Sequence, residues 1–261
     1  MRSLNIAATG MLAQQLNVEV ISNNIANMNT TGFKRQRAEF QDLLYQEERR
    51  VGSTSSDTGT IVPAGVQIGV GVKTAAVYRI TEQGNLVATD NTYDLAIQGK
   101  GFFQVTLPNG DTAYSRAGSF QLSPTGEIVT ADGYAVGPGI TIPPNAISVT
   151  INASGEVLAT IQGQIAAQNV GQFTLVNFAN EAGMEPIGDN LHLETPASGQ
   201  PVTSTPGAIG FGTLLQGFLE TSNVNVVQEI TNLITAQRAY EMNSKVIEAS
   251  DEMMQALNQI R

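Results

Sequence analysis

The C-terminal end of the sequence constrains the fold more than any other part. Residues 224–260 contain no glycine or proline, and apolar side chains recur there at intervals of seven. The repeat consists of Val226, Leu233, Tyr240, Ile247 and Met254, flanked by Ile230, Ile234, Val246, Met253 and Leu257. A helix of 37 residues is about 55 Å long, and a repeat sustained past about 25 residues is typical of coiled coils. The pattern predicts a rod-like helix with its N-cap at Ser222 or Asn223.

The N-terminal end shows the same helical periodicity. Leu4, Met11, Val18 and Ile25 lie seven residues apart, and Leu12, Leu16 and Ile21 widen the stripe. We predict an amphipathic helix from Leu4 to Met28. Isolated helices are only marginally stable in water, so the apolar faces at both chain ends need partners.

The middle of the chain has the pattern of a β domain. Turn-forming sequences recur at short intervals, at 108–111, 123–126, 132–133 and 153–155. β-rich runs lie between them, which predicts antiparallel hairpins from about residue 75 to 215. A polar stretch at 52–60 leads from the first helix to a glycine-spaced run at 65–72, which we predict to be a strand or close-packed ribbon.

These patterns define an α+β fold class. Long N- and C-terminal α-helices are expected to form a coiled coil, with a central, mainly antiparallel β domain inserted between them. The expected segments are an N-terminal helix (1–30), an extended connector (31–74), a central outer β domain (75–221) and a C-terminal helix (222–261).

Composition excludes several classes of function. The chain has no cysteine and a single histidine, so thiolate metal sites and most imidazole catalysis are excluded. Its net charge is −10, and residues 80–220 hold twelve acidic but only two basic side chains. Such a field disfavours nucleic acid and anionic lipid as partners. No cleavable signal or membrane span is predicted.

Candidate active sites are weak. Gly69, Gly71 and Lys73 resemble a phosphate loop, but Val72 intervenes before the lysine and a β-rich run follows. Acidic pairs such as Asp90 with Asp94, or Glu181 with Glu185, lack the aromatic neighbours of a glycosidase dyad. His192 alternates with leucines and is expected on the outward face of a strand. We predict no catalytic residue, no cofactor and no metal site.

The terminal helices remain as the functional feature. Pairing them within one chain buries one stripe per helix, but adjacent pairs such as Val246 with Ile247, and Met253 with Met254, point to two neighbouring faces. Further copies of the chain would cover the second face. Because a face that meets a different face on the next copy produces rings or open helical filaments, the pattern favours a polymer.

Four asparagines crowd the predicted exit of the first helix, namely Asn23, Asn24, Asn27 and Asn29. Asparagine is a poor helix former because its amide competes for backbone hydrogen bonds. We predict that these amides satisfy backbone groups freed at the helix end and bond across subunits, with Asn243 acting similarly on the second helix. Purely local capping is the alternative. Phe33, just beyond them, completes the predicted assembly interface.

Long stretches of the sequence resemble one known family, the axial proteins that build the rod and hook of the bacterial flagellum. The stretches are IAATGMLAQQLNVEVISNNIANMNTTGFKRQRAEFQDLLYQ at 6–46, DLAIQGKGFFQV at 94–105, YSRAGSFQLSPTGEIVTADGY at 114–134 and SNVNVVQEITNLITAQRAYEMNSKVIEASDEMMQALNQI at 222–260. The resemblance extends over essentially the whole chain. The length, the connector after Tyr45 and the stretch GTLLQGFLETSNV at 212–224 most resemble the distal-rod subunit.

The resemblance implies a function and a set of partners. The terminal helices would line the inner tube of a hollow helical assembly, and the β domain would face outward. The subunit would leave the cytoplasm through the flagellar type III export apparatus and act as a drive shaft from periplasm to outer membrane. Its partners would be further copies of itself, proximal-rod and hook-side axial proteins, and the P-ring and L-ring. Residues 46–72 would brace adjacent subunits and keep the rod straight.

Two alternatives to the distal rod stay open at this point. Another axial protein, of the proximal rod or the hook, belongs to the same class, and the order of assembly would separate these. A cell-wall-acting enzyme would need a buried carboxylate with a raised pKa, for which the sequence offers no convincing candidate.

Overall fold

The computed structural model describes residues 2–49, 64–164 and 166–259, without the side chain of Leu257. The chain divides into two compact units. What we call the helical unit consists of Met1–Ile25, Gln36–Tyr78 and Asn225–Arg261. What we call the β unit consists of Ala26–Arg35 and Arg79–Val224. The predicted α+β class, with a helix at each end and a β domain between them, is confirmed.

The helical unit contains both long helices. Helix α1 spans Arg2–Ala26 and helix α2 spans Val226–Gln259. Asn225 caps α2, because its side-chain Oδ1 accepts a hydrogen bond of 3.2 Å from the backbone N–H of Gln228. The Asn225 carbonyl accepts another, of 3.0 Å, from the N–H of Glu229. This is the arrangement of an N-cap, which satisfies donors that a helix cannot satisfy internally.

The predicted caps Ser222 and Asn223 were therefore wrong. The Asn223 side chain is used elsewhere: its Oδ1 accepts from the Arg35 N–H at 2.7 Å, and its Nδ2 donates to the carbonyls of Ile80 and Glu82. These bonds hold residue 223 in an extended segment, so the helix starts later. At the other end, α1 stops at Ala26 rather than Met28 because Asn27 opens a turn in which the Thr30 N–H donates to its carbonyl.

Four strands complete the described part of the helical unit: β1 (Gln36–Asp42), β2 (Tyr45–Arg49), β3 (Val66–Gly69) and β4 (Val72–Arg79). Strand β1 pairs with β4, and β2 pairs with β3 in antiparallel register. Strand β3 confirms the prediction for the glycine-spaced run. The predicted polar stretch at 52–60 lies outside the described residues, and the division of the chain at residues 31, 75 and 222 stays a prediction.

The β unit is built from short strands. Its strands are β5 (Leu86–Ala88), β6 (Leu95–Gln98), β7 (Phe102–Thr106), β8 (Thr112–Ser115), β9 (Gln121–Leu122), β10 (Ile128–Val129), β11 (Ala135–Val136), β12 (Ala146–Ile151), β13 (Glu156–Ile161), β14 (Gln168–Gln172), β15 (Leu175–Asn177), β16 (Glu185–Gly188), β17 (Leu191–Leu193), β18 (Val202–Ser204), β19 (Thr213–Gln216) and β20 (Phe218–Glu220). A short 3₁₀ helix spans Glu181–Gly183.

Strand β7 organises the largest sheet of this unit. It pairs with β8, β11 and β15, and the sheet runs in the order β16, β17, β8, β7, β11, β10, β9, with β18 added beside β15. Strands β12, β13 and β14 form a separate antiparallel sheet. Two further pairs, β19 with β6 and β20 with β5, attach the segment before α2 to the start of the β unit.

The predicted hairpins are confirmed. The turns at 108–111, 123–126, 132–133 and 153–155 connect β7 to β8, β9 to β10, β10 to β11 and β12 to β13. Each contains a glycine with positive φ, a conformation that most other residues adopt only with strain. The core beneath these hairpins contains Phe103, whose ring meets Phe120 and Phe173 edge to face at centroid distances of 5.0 and 6.4 Å.

His192 is not on an outward surface, as the alternation of leucines had predicted. It lies in β17, opposite Tyr114 of β8, and its ring centroid is 6.4 Å from that of Phe102. Its Nδ1 atom is buried without a hydrogen-bond partner. Burial, with a smaller contribution from the nearby Arg79 charge, lowers the pKa of His192 to about 4.

Candidate assembly surface on the terminal helices

Helices α1 and α2 contact each other, with the start of α1 beside the end of α2 and the end of α1 beside the start of α2. Ser3 and Ser250 hydroxyls are 3.3 Å apart, and the amide Nδ2 of Asn24 donates to the Glu229 carboxylate at 3.2 Å. Between these pairs, Gly10 faces the side chain of Asn243. The helices are therefore antiparallel within the helical unit.

These contacts follow a seven-residue spacing of small and polar residues, which we call the polar seam. It contains Ser3, Gly10 and Asn24 on α1, and Glu229, Ala236, Asn243 and Ser250 on α2. Glu229, Ala236 and Ser250 are all buried. Close packing of the two helices explains the glycine at position 10, because a Cβ there would lie 2.9 Å from the Nδ2 atom of Asn243. The seven-residue spacing of these residues is visible in the sequence, but a pattern of apolar residues alone does not reveal it.

Asn24 is the most highly connected residue of the seam. It is 1% exposed, and its Oδ1 accepts from the Gln36 N–H while its Nδ2 donates to the Gln36 carbonyl, both at 2.8 Å. The same Nδ2 reaches Glu229 on α2. One amide thus fastens the start of β1 and the start of α2 to α1. This pairing satisfies both backbone groups of Gln36, which would otherwise be costly to bury.

The other predicted polar residues have different environments. Asn27 lies in the β unit, where its Oδ1 accepts from the Thr30 hydroxyl at 3.1 Å, the kind of local contact that the capping alternative described. Asn23 and Asn29 are exposed. Phe33, also in the β unit, is half-buried, and its carbonyl accepts from the Asn223 N–H at 3.4 Å.

The apolar stripes of the helices divide into covered and exposed residues. Ile21 is buried. Partial burial is found for Leu4, Met11, Val18, Ile25, Val226, Leu233, Ile247 and Met254. Exposure is found for Ile230 (45%), Tyr240 (44%), Val246 (47%) and Met253 (60%). Leu257 lies outside the described side chains. Exposed apolar residues that the prediction did not include in the interface are Leu12, Val227, Ile234 and Met242.

In the β unit, an ion cluster joins the segment after α1 to the segment before α2. The Glu220 carboxylate, 1% exposed, accepts from Lys34 Nζ at 2.5 Å and from Arg116 Nε at 2.6 Å. Arg116 also donates to the carbonyls of Ile97, Gly99 and Gly101. Burial alone would raise the pKa of Glu220, but the Arg116 and Lys34 charges outweigh it and hold that pKa below its usual value.

The residues whose sequence patterns resemble chemical sites make packing and hydrogen-bond contacts within the fold. Gly71 packs against α1, since a Cβ there would lie 2.2 Å from the Thr9 hydroxyl, and Lys73 follows on β4 rather than on a helix. Asp94 accepts from Thr89 and Asn91 side chains. Among the described residues, no three histidine, cysteine or acidic side chains are grouped to hold a metal ion. None of the described helices combines the length and apolar character needed to cross a bilayer.

Comparison with known proteins finds the same family along the chain. Residues 4–34 match the family described as "Flagella basal body rod protein". Residues 96–159 match "Flagellar hook protein FlgE/F/G D1 domain", and residues 215–260 match "Flagellar basal body rod FlgEFG protein C-terminal".

Full-length relatives agree with these matches. The flagellar basal-body rod protein FlgG of Caulobacter vibrioides is 63% identical over all of both chains. FlgG of Borreliella burgdorferi is 46% identical over 100% of this chain and 99% of its own. A crystal structure of a Helicobacter pylori flagellar hook protein covers 72% of this chain and 43% of its own, at 15% identity and a TM-score of 0.24. On the sequence relationships, this chain belongs to the flagellar basal-body rod protein family.

Proposed function

We propose that copies of this chain polymerise through the exposed apolar faces of α1 and α2 into the hollow helical distal rod of the flagellar basal body. The chain is a structural subunit of the rod and not an enzyme. The main support for polymerisation is that Ile230, Val246 and Met253 stay exposed although α1 and α2 contact each other within one chain. Contiguous exposed apolar surface marks an interaction site in a soluble protein.

The seam and the apolar faces have separate roles in this proposal. The polar seam joins α1 to α2 inside each subunit as an antiparallel coiled coil. The remaining apolar side chains then face other copies. A face on α2 that meets a different face on the next copy forms a heterologous contact, which continues as a helical filament. In this proposal the exposed members of the predicted interface, Ile230, Tyr240, Val246 and Met253, form these contacts. Asn243 stays in the seam inside the subunit.

The assembled rod would act mechanically. Helices packed around the axis would line the export channel, and the acidic β unit would face the P-ring and L-ring. The rod would join proximal-rod proteins to hook-side axial proteins and carry torque across the periplasm to the outer membrane. Each subunit would arrive through the flagellar type III export apparatus. Residues 46–72 would brace neighbouring subunits.

Substitutions on the exposed face of α2 test the polymer. Ile230→Asp and Met253→Asp place a charge where the proposal buries an apolar side chain against another copy. The matched control is Thr231→Asp, since Thr231 is also exposed on α2 and lies at seven-residue spacing with Arg238, Lys245 and Glu252, on a charged face. Cells whose only copy carries each variant are scored for swimming, and their basal bodies are imaged for rods. We expect Thr231→Asp to build rods and the other two to fail. Normal rods in all three would contradict the proposal.

A further inference from the structure

The β unit carries an exposed apolar side chain, Ile209, on an ordered loop, and we call this side chain the knob. Ile209 is fully exposed at the tip of the loop that joins β18 to β19. Its neighbours are fixed by backbone bonds, because the Gly207 N–H donates to the Gly212 carbonyl at 2.9 Å and the Phe211 N–H donates to the Ala208 carbonyl at 2.9 Å. Phe211 packs against the main core. A loop that is already ordered loses little conformational entropy when its tip binds.

The same unit carries an uncharged groove, lined by both apolar and hydroxyl side chains. It has a volume of about 490 Å³ and lies between the β9–β10 turn, the segment 142–144 and β12. That size falls within the range of about 300–1,000 Å³ typical of binding clefts. Leu122 and Ile147, which line it, are exposed apolar side chains. Ile209 does not fill the groove of its own chain, since it is fully exposed.

The Ile209 loop and the groove are both uncharged in an otherwise acidic unit. Residues 80–220 carry twelve acidic and two basic side chains, so the net charges of two β units repel each other. The groove has no charged lining residue, and the loop from 205 to 213 has no charged residue either. Knob and groove are therefore surfaces through which like copies can approach without bringing carboxylates together.

We propose that Ile209 of one subunit inserts into the groove lined by Leu122 and Ile147 on a neighbouring subunit. The partner is a second copy of this chain, so the inference rests on the self-assembly proposed above. A knob on one face and a groove on another form a heterologous contact, which does not close into a two-fold dimer and continues along a filament. The contact adds a link between β units to the contact between helices.

Cysteine pairs test this contact in assembled rods. The chain has no native cysteine, so an introduced pair is unambiguous. Cells carry Ile209→Cys with Ile147→Cys, or the control pair Ile209→Cys with Ile187→Cys, whose second site is a different exposed apolar residue. Basal bodies are treated with a short bifunctional thiol crosslinker and resolved by denaturing electrophoresis. Crosslinked dimers and ladders are expected for the first pair, at about tenfold or more over the control.

The outcomes separate the two proposals. Rods that form without excess crosslinking of the first pair would overturn the knob and groove but leave self-assembly intact. A wild-type chain that never forms rods would overturn both. The yield of rods from an aspartate variant is a second test. Ile209→Asp should reduce that yield by about tenfold. Val202→Asp, at another exposed apolar position of the β unit, should not reduce it. Equal effects of the two aspartates would contradict the contact.

Discussion

Asn24 and Glu229 are 205 residues apart in the sequence, yet their side chains form a buried hydrogen bond of 3.2 Å. This bond fixes where α1 lies along α2, and the seam contacts at Gly10 with Asn243 and at Ser3 with Ser250 keep the same register. A buried polar pair is costly when misaligned, so it specifies one register among several that apolar contacts alone would permit.

Replacing Asn24 by alanine should destabilise the helical unit. The substitution removes both bonds to the Gln36 backbone and the bond to Glu229, leaving buried polar groups unpaired. We expect a loss of about 1–3 kcal/mol in the free energy of unfolding, followed by helical circular dichroism in denaturant. Asn5→Ala, at an exposed position of α1, is the control and should change stability by less than about 0.5 kcal/mol. Equal stability of the two variants would show that the Asn24 bonds do not support the pairing.

A disulfide should lock the register of the helices. Because the Ser3 and Ser250 hydroxyl oxygens are 3.3 Å apart, cysteines at both positions should oxidise to a bond within one chain. Ser3→Cys with Asn243→Cys is the control, since residue 243 lies two helical turns, or about 10 Å, further along α2. Mass spectrometry of the unreduced protein distinguishes the species. A bond found only between chains would mean that the helices pair across subunits instead.

Neutralising Glu220 should weaken the β unit. Glu220→Gln leaves the buried Lys34 and Arg116 charges without their anion, a change that typically costs about 3–5 kcal/mol. Thermal unfolding should show the loss, and Glu185→Gln, at an exposed site, should show none. The folded pKa of Glu220 is below its ordinary value of 4.5, so its stabilising effect is complete above that pH and disappears as pH falls through the folded pKa. Glu220→Gln should therefore also reduce the acid sensitivity of unfolding.

His192 should make stability depend on pH in a different window. Its pKa is 6.5 in the unfolded chain and about 4 when folded, so below pH 6.5 the unfolded state binds the proton more strongly. The free energy of unfolding should fall as the pH is lowered from 6.5 to 4, by at most about 3 kcal/mol. His192→Gln should flatten that part of the profile, measured as unfolding midpoints at several pH values. An unchanged slope would mean that His192 is already exposed enough to titrate normally.

The sequence predicted local structure well where the physical signal is local. Seven-residue periodicity placed both helices to within a few residues, and the Asn-Gly, Thr-Gly and Asp-Gly turns placed the hairpins around β7 to β11. The N-cap of α2 was missed because Asn223 and Asn225 are equally good caps by residue type. Only the remote bonds from Asn223 to Arg35, Ile80 and Glu82 decide between them.

Contacts between residues far apart in the sequence explain where the structure differs from the remaining predictions. Glu220, Arg116 and Lys34 are far apart in the sequence, and no short motif marks them as partners. The alternation of Leu191, His192 and Leu193 implies one buried face, but a neighbouring strand and Phe102 cover the histidine as well. The polar seam was detectable, since Gly10 and Asn24 lie fourteen residues apart and Ala236, Asn243 and Ser250 lie seven apart. The apolar stripes, by contrast, do not separate covered residues such as Ile21 from exposed ones such as Met253.

The state of the purified chain at high concentration tests the central claim most directly. Electron microscopy of the concentrated wild-type protein, with limited proteolysis of the same sample, reports both assembly and the order of the chain ends. The exposed apolar faces of α1 and α2 predict straight, hollow tubes whose termini become protease-resistant as the tubes form. A monomer that stays soluble at every concentration, with both terminal helices already folded and protected, would contradict the account.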